Sequence, residues 1–327
     1  MDALLSLYEK EMPSFLLRAA GTAPLQRLKG VGMNCGCEYT SFPRFAGLMP
    51  YSRFDHSLGV ALIVWHFTHD KAQALAGLLH DVASPTFAHV VDFLRGDYLR
   101  QEATETGTRE QIENAEELQA LLREEGLSTD DVADARRYPL ADNSAPRLCA
   151  DRLEYTLGNM LNFSLCGRED IAACYRDLTV AENENGEPEP AFRHLETAES
   201  FALGALQCAR IYVSDADRYA MQMLAELLGN ALTAELIRER DLYGTESALI
   251  KKLPQEEWDA FRSLAFIELS PADRGSAWRK IAAKKRYIDP LVVGKGRVSS
   301  LSAAFAGELQ AFKAQSQAYY VRGLPRK

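Results

Sequence analysis

The histidines of this chain do most to limit what it can fold into. Five of the six fall in residues 53–92, RFDHSLGVALIVWHFTHDKAQALAGLLHDVASPTFAHVVD, where a chain without a site would scatter them. Inside that stretch Leu58, Leu62 and Trp65 recur at helical spacing, as do Leu75, Leu78 and Leu79. The pattern predicts two short helices over residues 57–70 and 71–81. Packed together, they would bring His56 and His80 to one region. Asp81 follows His80 directly, and consecutive helix side chains point about 100° apart. A His-Asp dipeptide at a helix end can therefore offer a nitrogen and an oxygen to neighbouring corners of one coordination shell.

Pro85 suits the first turn of a third helix, because its missing N–H is unpaired there in any case. His89 and Asp92, three apart on that helix, would share a face. A fourth partner could lie downstream at Asp151, in RLCADRLEYTLGN, on a helix opened by Pro146 that also carries Glu154 and Tyr155; taken alone, Asp151 reads as a surface salt-bridge partner. Two imidazoles and two carboxylates suit one divalent ion, such as Mn, Fe, Co, Ni, Zn or Mg, and four protein ligands leave an octahedral ion two open positions. Those positions can take water and a phosphoryl oxygen, which is the arrangement of metal-assisted hydrolysis. His66 and His69 read as core edge or surface, and His194 as unrelated to the site.

Composition bounds the rest. The chain has 327 residues, 47% hydrophobic and 25% charged, as in ordinary globular proteins, which sets aside disordered and fibrous classes. No apolar run reaches the roughly 18 residues of a membrane span, and the acidic start MDALLSLYEKEM lacks the basic opening of a secretory signal. The expectation is a cytoplasmic protein. Cys149, Cys166, Cys174 and Cys208 sit in apolar helical stretches as core residues. Cys35 and Cys37 form a lone CxC without a second pair for zinc. The formal net charge of −9 argues against nonspecific nucleic-acid or anionic-membrane partners. A small phosphorylated ligand answers to the local field instead, and Arg53, Arg147 and Arg152 with a metal would make the cleft positive. The oligomeric state is open, a homo-oligomer included.

The order His56, then His80-Asp81, then distant Asp151 resembles the metal signature of the HD-domain phosphohydrolases. RFDHSLGV, the His-Asp followed by PTFAH with Asp92, and ADRLEY resemble segments of the deoxynucleoside triphosphate triphosphohydrolase branch. The resemblance implies that His56, His80, Asp81 and Asp151 are the metal ligands. It further implies that Asp92 and His89 are catalytic, and that Arg53, Tyr155 and Arg152 face phosphate and sugar. The chain departs from the branch at Ser84, where a second histidine is usual, at Asn159, where an aspartate is usual, and at Gln101-Glu102, where a His-Glu pair is usual.

The expected fold is mostly α, an HD-domain helical bundle with small β appendages, in one domain with a metal-binding core over about residues 24–163 and a helical extension over 164–327. Residues 109–126 read as one exposed helix and residues 96–108 as polar loop. LTVAENENGEPEPAF reads as a β-hairpin, residues 195–213 and 219–238 as long packed helices, and 245–253, 255–268 and 303–315 as short ones. YIDPLVVGKGRVSS reads as a second small sheet, preceded by a basic triplet at 284–286 that could touch a phosphorylated ligand. The function expected is metal-dependent hydrolysis of a nucleotide or another small phosphate ester. A metal- and nucleotide-binding regulatory protein without turnover is the alternative.

Overall fold

A computed structural model describes residues 2–96 and 107–326. The expected Gln101-Glu102 pair and most of the expected 96–108 loop lie outside the described residues. The described chain is mostly α with two small sheets. None of its helices is long and apolar enough to cross a membrane.

Three short helices open the chain, α1 (Asp2–Tyr8), α2 (Ser14–Ala20) and α3 (Ala23–Arg27), and pack around α4 (Arg53–Thr68) and α5 (Lys71–Leu79). Helix α4 starts sharply: the Ser52 hydroxyl accepts from the Asp55 N–H at 3.2 Å while the Asp55 carboxylate accepts from the Ser52 N–H at 2.9 Å, a reciprocal cap that satisfies two otherwise orphaned donors. It ends at His69, whose left-handed φ of 50° lets its N–H bond back to Trp65. From His56 to Val64 every residue of α4 is buried, the mark of a central helix. Gly59 costs about 1 kcal/mol of helix propensity, but burying Leu58, Leu62 and Ile63 contributes roughly 1.5–3 kcal/mol each, so packing decides. Gly59 is also required sterically. A Cβ there would lie 2.6 Å from Cγ of Glu154, on the helix that crosses α4.

After α5 the chain passes through turns into α6 (Val90–Leu94), then α7 (Thr108–Glu113), α8 (Glu116–Glu124), α9 (Thr129–Val132) and α10 (Ala150–Asn162). Two expectations are corrected here. The helix bearing Asp92 begins at Val90 and not at Pro85, because Phe87 and Ala88 take left-handed φ values of 60° and 44°. The helix bearing Asp151 begins at Ala150 and not at Pro146. The expected 109–126 helix is broken at Asn114-Ala115, and its Ile112, Leu118, Leu121 and Leu122 are buried rather than solvated.

In the second half, α11 (Arg168–Asp177), the hairpin β1 (Leu178–Glu182) and β2 (Pro188–Phe192), α12 (Leu195–Tyr212) and α13 (Asp215–Thr233) follow the expected pattern, as do α14 (Glu246–Ile250) and α15 (Gln255–Arg262). The chain then departs from it. Residues expected to prolong α15 form β3 (Leu264–Ser270), because they pair with a strand at the end of the described chain. Beyond it lie β4 (Leu291–Val292), β5 (Gly296–Arg297), α16 (Val298–Leu301), α17 (Ala303–Ala314) and β6 (Tyr320–Pro325). β3 and β6 form an antiparallel pair. Strand β4 runs parallel to β2, so β4 and β5 extend the hairpin into one four-stranded sheet and form no sheet of their own.

Candidate metal centre

Each proposed ligand sits at a helix end. His56 lies in the first turn of α4, His80 and Asp81 directly follow α5, and Asp151 lies in the first turn of α10. Nε2 of His56 is 3.1 Å from Oδ1 of Asp151, and Nε2 of His80 is 3.6 Å from the same oxygen. Oδ2 of Asp81 is 3.8 Å from Nε2 of His56 and 3.5 Å from Nε2 of His80. Nitrogen and oxygen ligands at about 2.0–2.2 Å from a common ion stand roughly 3–4 Å apart, so His56, His80 and Asp151 could hold one divalent ion, with Oδ2 of Asp81 within 3.8 Å of both imidazoles.

The groups behind the ligands support the same reading. Nδ1 of His56 meets Oε2 of Glu154 at 2.6 Å, and Nδ1 of His80 meets the Gly77 carbonyl at 2.7 Å. Each imidazole is thereby held with Nε2 inward, as in carboxylate–histidine–metal arrangements. Glu154 is fully buried and also accepts from the Tyr51 hydroxyl. The spacing of Glu154 from Asp151, three residues on one helix face, was the signal in the sequence that would have given it this role.

The charges of the cluster compensate one another. Burial opposes the charged form of His56, but its bonds to Asp151 and Glu154 outweigh that and push its pKa up to about 10. Burial likewise works to raise the Asp81 pKa, yet the Arg53 guanidinium and the two imidazoles hold it well below the usual carboxylate range. Arg53 and Asp81 form a close ion pair. The second Asp81 oxygen accepts from the Ser84 hydroxyl at 3.0 Å. Ser84 is fully buried behind Asp81, so a histidine at this position would meet packed protein and not the cavity.

The centre occupies one end of a cavity of about 530 Å³. Arg53, His89, Tyr155 and Asn159 also line it. Asp92 is buried behind His89 and accepts from its Nδ1 at 2.8 Å. Burial lowers the His89 pKa, and the charges of Arg286 and Arg53 lower it further against the Asp92 bond. Arg152 does not face the cavity. Its guanidinium donates to the carbonyls of Arg147 at 2.7 Å and Asn143 at 2.5 Å, which commits it to the loop before α10. Arg147 is similarly engaged, with Glu187 at 2.8 Å. The cavity's basic residues are instead Arg53, Arg136, Lys284 and Arg286. His66 is exposed near Glu9, and His194 pairs with Asp177 at 2.5 Å, both away from the centre.

No protein-family model matches the chain. An uncharacterised protein of Bacillus subtilis, YdhJ, is 28% identical over 234 residues, spanning 71% of this chain and 68% of that one. A metal-dependent phosphohydrolase of Cordyceps militaris is 28% identical over 172 residues, spanning 50% of this chain and 46% of that protein. Among solved structures, a hypothetical protein from Aquifex aeolicus superposes with a TM-score of 0.64 at 17% identity, covering 95% of this chain and 93% of that one. A phosphohydrolase from Bacteroides thetaiotaomicron superposes with a TM-score of 0.64 at 15% identity, covering 97% of each. The structural likenesses show a shared fold. The chain thus shares its fold with a protein named a phosphohydrolase and is similar in sequence to a protein named a metal-dependent phosphohydrolase, and it carries a His/Asp cluster that could hold a metal.

Proposed function

We propose that the chain hydrolyses small phosphate esters, nucleotides first among them, with His56, His80, Asp81 and Asp151 holding one divalent ion. The observation that carries this reading is the convergence of Nε2 of His56, Nε2 of His80 and Oδ1 of Asp151 at one end of a cavity large enough for a small ligand. A bound ion would supply Lewis-acid polarisation and acidify water near neutrality.

The chain's own residues account for the rest. Asp92 fixes His89 with its proton on Nδ1, so Nε2 is the acceptor nitrogen, and the lowered pKa keeps the ring neutral near pH 7. His89 therefore serves as a proton acceptor rather than as a cation stabilising charge. Arg53 supplies the positive charge, with a buried Nε that has no partner among the described residues. Tyr155 and Tyr212 wall the cavity beyond the metal end with their ring centroids 6.4 Å apart. Between them Asn159 gives its amide N–H to the Tyr212 hydroxyl at 2.7 Å and keeps a buried carbonyl oxygen unpaired among the described residues. An unpaired buried acceptor costs about 1–3 kcal/mol, and a hydroxyl or amine on the ligand's organic part would satisfy it. A nucleoside offers both. Deoxynucleoside triphosphates remain the first substrates to test, followed by monophosphates and phosphodiesters.

The test is elemental analysis of the purified protein, followed by a phosphate-ester and nucleotide screen with added Mn. Stoichiometric metal and turnover lost in His80→Ala are expected. Metal binding with no hydrolysis of any ester would favour the regulatory alternative, and absence of metal affinity would sink the reading.

A further inference from the structure

The turn between the metal end and α6 is where the chain's local preference and its structure disagree most. Pro85-Thr86-Phe87-Ala88 has the makings of a first helical turn, because proline is pre-set for that position. Yet Phe87 and Ala88 both take left-handed φ, 60° and 44°. Glycine visits that region readily and asparagine or aspartate sometimes, while other side chains are strained there. Places where local preference is overruled in this way are expected to be functional or strained sites, and residues held in such regions gather at active sites.

The contacts that hold the turn all come from outside the cavity. The Thr86 N–H donates to the Leu242 carbonyl at 2.6 Å, and the Arg27 guanidinium donates to the carbonyls of Val82 and Ser84, each at 2.9 Å. The Phe87 ring is fully buried. It stands edge-on to Tyr39 with centroids 6.1 Å apart, and its centroid is 6.4 Å from that of Trp258. Gly36 closes this socket, since a Cβ there would lie 3.0 Å from Cδ1 of Phe87. Arg27, Tyr39, Phe87, Leu242 and Trp258 lie outside the cavity lining, whereas His89, the residue that follows the turn, is part of it. Behind the His89 ring stands Asp92, accepting from Nδ1 at 2.8 Å.

We infer that Phe87 and Ala88 are positioning residues, a strained turn that the Phe87 socket and the carbonyl ties hold closed so that His89 is presented to the reaction site. Neither touches the ligand. Returning the pair to right-handed φ would rotate the chain ahead of His89 and part its ring from the wall. The inference rests on the phosphohydrolase reading, and one arm of its test needs no turnover. Ala88→Val places a β-branched side chain at positive φ, which such residues do not tolerate. Turnover of the Mn-loaded protein should fall about 100-fold, the scale of a positioned acid–base group, with Mn content and circular dichroism as in wild type. The loss in Ala88→Gly should be smaller by about tenfold, the cost of one left-handed residue that glycine escapes. In a His89→Gln background Ala88→Val should cost less than about twofold more, because a residue that acts only through His89 has nothing left to act on. Should Ala88→Val not fold, Phe87→Leu, which thins the socket, enters the same cycle. Losses that add in the cycle, or glycine losing as much as valine, would overturn the inference. Nitrogen-15 NMR of the imidazoles reads the mount without turnover: wild type should show the Nδ1–H tautomer of His89, assigned by its absence in His89→Gln, and Ala88→Val should lose it. A wild-type protein that hydrolyses no ester would overturn the phosphohydrolase reading, and a tautomer signal unchanged in Ala88→Val would overturn the mount on its own.

Discussion

At one end of the cavity, His56, His80, Asp81 and Asp151 come from helix ends, and Glu154, Gly77, Arg53 and Ser84 hold them from behind. At the other end, Arg286 stands on a strap without helix or strand whose supports come from α13, α17 and the loop before α10. The metal end is largely buried, charge-balanced and built from mutually bonded side chains. The strap end is more exposed, Lys284 and Arg286 included. Coordination tolerates little positional error, so its ligands need rigid helices and a supporting shell, whereas a long cationic side chain tolerates a mounting that is fixed only at intervals.

The largest effect should come from breaking the metal end. Asp81→Ala is expected to remove bound metal and all hydrolysis while circular dichroism reports a largely intact helical fold. The variant also leaves Arg53, with a side chain only 10% exposed, without its ion-pair partner. Full metal occupancy in this variant, measured by elemental analysis, would mean that Asp81 serves Arg53 and not the ion. Next in size is Asp92→Asn, which should spare metal binding but lower turnover by about 100-fold, the usual scale of a positioned acid–base partner. The amide can no longer fix His89 with its proton on Nδ1. Wild-type turnover across the pH range would make Asp92 structural.

The same contrast explains what could be read in advance. Four ligand candidates were legible because helical periodicity around His56 and His80 placed them at helix ends, and the ADRLEY segment marked Asp151. The left-handed turn at Phe87 and Ala88 was not legible, since neither residue type signals positive φ. The pairing of Leu264–Ser270 with Tyr320–Pro325 was hidden for another reason: strand preference there is decided by a partner some fifty residues away, and local propensity yields to such context. Arg152 misled because a cationic residue beside a ligand reads as substrate-facing, while the loop carbonyls that capture it come from residues 143 and 147.

A smaller effect tests the supporting shell directly. Glu154→Gln keeps the size of the side chain but loses the charge that orients His56, and metal affinity should fall about 10–100-fold, the range for groups of this kind. Titration with Mn at fixed pH measures it. An unchanged affinity would show that a neutral hydrogen bond at this position orients His56 as well as the carboxylate does.

The smallest expected effect concerns the floor beneath Arg53, where the charge balance of the metal end fails. Glu246 accepts from the Gly32 N–H at 2.7 Å and the Tyr39 hydroxyl at 2.8 Å, while the neighbouring Glu38 has a buried Oε2 without a partner among the described residues. Burial and the charge of Glu246 push the Glu38 pKa up from the ordinary 4.5 to about 8. Below pH 4.5 the folded and unfolded chains both hold this proton. Between there and about pH 8 only the folded chain does, so stability should decline as the pH rises through that window and level off above it. In Glu38→Gln the side chain stays neutral throughout, and the decline should flatten by on the order of 1–3 kcal/mol. Urea unfolding at intervals from pH 5 to 8 would measure both slopes, and parallel profiles for the two proteins would show that Glu38 ionises normally and that the floor is as well balanced as the ligands above it.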